Sequence, residues 1–126
     1  MFIYLLFCGL FVLSGCSKDE KSSEFPVLVE VVIETPETIK VNEEVVIKVL
    51  VTQGDEKVED ADKVEFEINK SGEETSEKII GRHKGDGIYF ITKTFQDVGE
   101  YSVIAHVTAR DMYNMPKKEF TVVPAE

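Results

Sequence analysis

From residue 26 onward, short runs of alternating apolar and polar residues are broken by turn residues at roughly eight- to twelve-residue spacing. Residues 64–69 are the clearest case. Val64, Phe66 and Ile68 fall on one side, Glu65 and Glu67 on the other, which is the period of a half-buried strand. In residues 45–52, Val45, Ile47, Val49 and Val51 share one face and Val46, Lys48, Leu50 and Thr52 the other. The second face is half apolar, which predicts a central strand partly covered on both sides. Residues 27–34 are rich in β-branched side chains, and Pro36, which has no N–H to give a ladder, ends that run. Further strands are predicted over 78–81, 88–95, 101–108 and 119–123. Residues 53–62, 70–73, 82–87 and 109–116 read as turns and loops. About seven strands and no helical period predict an all-β, immunoglobulin-like antiparallel β-sandwich.

Residues 101–108 form the strand around which the others are placed. Tyr101, Val103, Ala105 and Val107 share its inner face; Ser102, His106 and Thr108 share the outer one. It is preceded by Asp97, Gly99 and Tyr101 in a D-x-G-x-Y spacing, the pattern of a tyrosine corner, in which the hydroxyl ties back to upstream backbone. Phe66, Tyr89 or Phe90, Tyr101 and Phe120 supply the aromatic bulk of the predicted core. There is no Trp, and both cysteines lie within the first sixteen residues, so an antibody-type Cys-Trp-Cys core is excluded.

The N-terminus has a different pattern. Residues 2–13 are apolar and uncharged. This run is short for a bilayer span, which needs about 20 residues, but has the length of a signal-peptide core. It ends in Leu13-Ser14-Gly15-Cys16, which resembles the lipobox of bacterial lipoproteins. Small residues there let a peptidase reach the backbone, and the Cys16 thiol is the nucleophile that takes the lipid. Cys8 follows the bulky Phe7 and does not fit that role. The expected organisation is a signal peptide over 1–15, a lipidated Cys16 with a flexible tether over 16–25, and one sandwich domain over 26–124. The polar stretch from Ser17 to Glu24 spans at most about 26–29 Å when extended. That would hold the domain close to the extracytoplasmic face of the cell membrane.

The formal net charge of −10 argues against nucleic acid and against a polybasic grip on anionic lipid. Membrane contact is expected through the lipid anchor, and an envelope protein is the expected type of partner. No nucleophile elbow, phosphate loop or H-E-x-x-H occurs. The carboxylates show no pairing pattern, so a non-enzymatic protein is expected. The acidic loop 53–62 lacks the spacing and glycine of an EF-hand and reads as a solvated loop.

One constellation remains. His106, Met112 and Met115 lie on and just after the central strand, with Tyr113 between the methionines. Thioether and imidazole together suit Cu(I), and His83 is a further candidate ligand. Methionines also serve as apolar plugs, and that reading keeps His106 as a surface histidine. The runs Val98-Gly99-Glu100-Tyr101, His106 to Lys118, Asp60 to Phe66 and Gly85 to Tyr89 resemble the YtkA-like family, which is related to FixH-like proteins. That resemblance implies a small, often lipid-anchored envelope sandwich and an association with copper handling for haem–copper oxidases. In the family a histidine commonly stands between the two methionines; here the position is Tyr113. His106, Met112 and Met115 carry over. Two functions follow as expectations: a binding or accessory lipoprotein of the envelope, or a copper-binding chaperone.

Overall fold

The structure, a computed structural model, describes residues 26–125. The signal-like segment, Cys16 and the tether lie outside the described residues. Among the described residues every regular element is a strand: β1 (Val29–Glu34), β2 (Thr38–Lys40), β3 (Glu44–Gln53), β4 (Glu56–Lys57), β5 (Lys63–Lys70), β6 (Glu77–Ile80), β7 (Arg82–Gly85), β8 (Ile88–Thr94), β9 (Gly99–Ala109), β10 (Met112–Asn114) and β11 (Lys117–Val123). They form two sheets. The first runs β1-β3-β8-β7, with β4 beside β3; the second runs β2-β11-β9-β5-β6, with β10 beside β9. This is the strand arrangement of an immunoglobulin-like sandwich.

The period-two patterns set the core. Ile47, Val49 and Val51 of β3, Val64, Phe66 and Ile68 of β5, and Val103, Ala105 and Val107 of β9 all point between the sheets and are buried. Phe95 and Phe120 join them, with Tyr89. Phe90 faces outward, so Tyr89 is the core aromatic of that pair. Tyr101 is half-buried rather than enclosed. It meets Phe95 edge-on at 5.0 Å and stacks on Phe120 at 5.7 Å.

Among the described residues five connections pass from one sheet to the other (β1–β2, β2–β3, β4–β5, β6–β7 and β8–β9), and two of them are set by single residues. After β1, the chain turns at Thr35-Pro36 and β2 joins the second sheet alongside β11, a parallel pair within an otherwise antiparallel fold. Between β6 and β7 the crossing is at Gly81. A Cβ there would lie 2.7 Å from Cε1 of the buried Phe66, so the close approach needs glycine.

The structure departs from the sequence expectations in two main places. The predicted turn 82–87 contains β7, an edge strand whose polar residues carry no alternation, because its inner side is only His83 stacked on Tyr89 at 4.5 Å. The predicted loop 109–116 is a hairpin: β9 turns into β10 through Arg110 and Asp111, with φ of 54° and 64°. Positive φ at both central residues is the geometry of a type I′ turn, which ordinarily uses Asn-Gly, so the composition hid it. As expected, β3 is central in its sheet and its outer face is partly covered: Lys48 and Leu50 are half-buried, and Val46 is 48% exposed.

Candidate functional site on the second sheet

The outer face of the second sheet gathers polar groups from four strands. Registers place Glu65 across from His106, Ile80 across from Glu65, and Tyr113 across from Thr108, which in turn faces Lys63. Directly opposed residues in an antiparallel pair share a face, so Lys63, Glu65, Ile80, His106, Thr108 and Tyr113 all look outward. Glu67 and Lys78 oppose each other on the next row.

His106 is at the centre. Its Nε2 lies 2.7 Å from Glu67 Oε1, and its Nδ1 meets the Tyr113 hydroxyl. A carboxylate can only accept, so Nε2 carries a proton; in the neutral ring Nδ1 then accepts from the Tyr113 O–H. Ser76 donates to the other Glu67 oxygen at 2.6 Å. Ser76, Glu67, His106 and Tyr113 form one hydrogen-bonded chain across the sheet. The His106 and Glu67 side chains are only 19% and 24% exposed. The Ser76 hydroxyl first, and His106 second, hold the Glu67 carboxyl below its ordinary 4.5. Beside the chain is a shallow hollow of about 260 Å³, lined by Lys63, Glu65, Lys78, His106, Thr108 and Tyr113.

The hairpin that carries Tyr113 is fixed at its turn. Arg110 donates to Gln53 Oε1 and to both oxygens of Glu56, and its Nε donates to Asp60 Oδ1 at 3.0 Å. These contacts tie the second sheet to the acidic loop 53–62 of the first. That loop is pinned from within as well: Val58 is fully buried, and Tyr89 donates to its carbonyl at 3.0 Å. At the other end of β9, Tyr101 donates to the Asp97 carbonyl at 2.8 Å. Gly99 lies between them with a φ of 149°, and a Cβ there would press on Lys70.

The residues singled out for copper are not brought together as a set of three. Met112 opposes the inward-facing Ala109. Its sulfur accepts a hydrogen bond from the Val29 amide at 3.3 Å. The register on either side puts Met115 across from His106 on the outer face, where it is 53% exposed. His83 belongs to the first sheet and pairs with Glu59 at 2.8 Å. Among the described residues no group of three or more His, Cys, Asp or Glu side chains is arranged to hold a metal. Met112 and His106 point to opposite sides of the sheet and both ring nitrogens of His106 have partners, so the three residues do not fit a copper centre in this arrangement. Glu67 and Ser76 were missed from sequence. Parity marked Glu67 as outward but gave no means of pairing it with a residue 39 positions away.

A sequence model of the YtkA-like family matches residues 27–106. The chain belongs to the YtkA-like family. The match ends at His106, so Met112, Tyr113 and Met115 lie beyond it. Comparison with curated proteins gives no match. Among solved structures, the chain is similar to a candidate glycoside hydrolase from Bacteroides vulgatus (18% identity, TM-score 0.54), covering 72% of this chain but only 17% of that one. It is similar to a superoxide reductase (neelaredoxin) from Ignicoccus hospitalis at 17% identity and TM-score 0.52, covering 74% and 79% of the two chains. It also resembles a CARDB domain from Pyrococcus furiosus, described in complex with di-metal ions, at 16% identity and TM-score 0.52, covering 81% and 99%. At these identities the likeness is one of fold.

Proposed function

We propose that this chain is a lipid-anchored, non-enzymatic binding module of the bacterial cell envelope, and that it meets its partner through the outer face of the second sheet. The observation that carries the proposal is the chain Ser76–Glu67–His106–Tyr113, which fixes a polar hollow rather than leaving it to mobile surface side chains. Preorganised groups of this kind lose less entropy on binding. The anchoring part of the reading rests on the apolar run and on Leu13-Ser14-Gly15-Cys16. A photoreactive residue placed at Thr108 in the membrane-bound protein is expected to form an adduct with another envelope protein. An absence of adducts from both Thr108 and Tyr113 positions sinks the binding-face reading. Cys16→Ser is expected to abolish acyl labelling and membrane association; unchanged fractionation with membranes sinks the anchor.

Copper handling is the second reading, favoured by the placement of Met115 across from His106 on one exposed face. Cu(I) competition with a chromogenic chelator tests it, comparing wild type with Met112→Leu and Met115→Leu together. Leucine keeps the apolar volume and removes the sulfur. Equal affinity in both proteins eliminates a thioether site; a large loss in the double variant supports one.

A further inference from the structure

The outer face of the first sheet has a different composition, and a register that fits a copy of itself. One row across the sheet reads Val32, Leu50, Ile88. The next reads Glu34, Lys48, Phe90, Arg82, and Val46 follows on β3. Val32 is 53% exposed and Val46 48%, whereas Leu50, Ile88 and Phe90 between and beside them are half-buried. Contiguous apolar surface on an outer sheet face, rimmed by charges, has the character of an interaction surface.

We propose that two copies of this chain associate through this face, about a two-fold axis that runs along the strands. Such an axis turns the face onto itself, keeps each row on its own row and exchanges the two edges. It stacks β1 on the partner's β7 and β3 on the partner's β8. The charges at those edges are complementary. β1 carries Glu30 and Glu34 outward, whereas β7 carries Arg82 outward, across from Phe90. In the charged row, Glu34 lands over Arg82 of the other copy and Lys48 over Phe90. These reproduce between copies the two contacts already made within one: Lys48 lies 3.9 Å from Glu34, and the Arg82 guanidinium sits 4.9 Å above the Phe90 ring. In the apolar row, Leu50 lands over Ile88, and Val32 meets the side of β7 where Gly85 leaves room. An axis perpendicular to the sheet brings no face to face, and an in-plane axis across the strands stacks each edge on itself, acid on acid. The strand-parallel axis is the arrangement in which both rows match, as an isologous interface requires.

Sedimentation equilibrium of the full-length chain in density-matched detergent tests this. Wild type is expected to show a two-chain mass in the micromolar range. Leu50→Lys should raise the dissociation constant about tenfold or more, equivalent to about 1.4 kcal/mol. Glu34→Arg and Arg82→Glu should each weaken association, and the two together should restore it. Unchanged thermal unfolding of the charge variants confirms that they remain folded. A single-chain mass for wild type throughout overturns the proposal. So does a dimer that is indifferent to Leu50→Lys, or one that the double charge exchange fails to restore. These results are independent of Thr108 adducts, which report on the other face.

Discussion

The two outer faces of this sandwich use the same geometry for opposite chemistry. On the second sheet, outward positions of β5, β9 and β10 hold groups that satisfy one another: Glu67 accepts from Ser76 and His106, and Tyr113 closes the chain. On the first sheet, outward positions of β1, β3 and β8 hold Val32, Leu50, Ile88 and Phe90, flanked by charges. Polar groups on a sheet face can be completed within one molecule, because hydrogen bonds are pairwise and saturable. Apolar side chains on an open face cannot, because their stabilisation grows only with area removed from water. The first arrangement suits a shaped site, and the second suits a surface that waits for cover.

The sharpest test of this contrast is truncation of a partner on each face. Glu67→Ala leaves the His106 Nε2–H and the Ser76 hydroxyl without their acceptor, and is expected to cost about 1–2 kcal/mol in chemical denaturation. Thr92→Ala on the first sheet breaks no side-chain hydrogen bond among the described residues and should stay within about 0.5 kcal/mol. Equal losses at the two positions would erase the distinction. The joint between the faces comes next. Tyr101→Phe removes the bond to the Asp97 carbonyl, which water can replace in part, so a loss of about 1 kcal/mol is expected. No loss would reduce the corner to a packing feature.

The acid limb of the stability profile gives a smaller effect. The Glu67 carboxyl is held below 4.5 in the folded protein. Its contribution is therefore present above that value and fades as pH falls through the lower folded-state value. The stability difference between wild type and Glu67→Gln should shrink as pH falls below 4.5. A difference that persists unchanged at lower pH would mean that ionisation of Glu67 is not what the site stabilises. The smallest effect belongs to Val46→Thr, which keeps the β-branched shape on the open face. It should change the stability of a single chain by no more than about 0.5 kcal/mol. A larger loss would show that this face is already covered within one chain.

Much of the fold could be read along the chain. The alternation in residues 45–52, 64–69 and 101–108 names the inward residues of β3, β5 and β9, and their burial follows the same parity. The D-x-G-x-Y spacing leads to the Tyr101–Asp97 bond. The hairpin at Arg110-Asp111 was illegible because its turn uses residues that pay for positive φ through tertiary contacts: Arg110 is held by Gln53, Glu56 and Asp60, none of them near it in sequence. Reading 109–116 as a loop left Met112 free to reach His106. The tight turn instead sends it inward and brings Tyr113 to the imidazole.

The sequence alone determined which residues of β3, β5 and β9 face the core, because strand parity is a local property of the backbone and burial selects for it. It determined the charge balance and the signature at Cys16 for the same reason, since both are written in residue order. Tertiary structure decided which outward residues meet. Glu67 and His106 become neighbours only because β5 pairs with β9 in one register, and a shift of a single residue would turn every side chain of β5 to the other face. Strand pairing also decided that Val32, Leu50 and Ile88 form one row. Each is an ordinary apolar residue in its own strand, and together they make a surface that a single chain covers only in part.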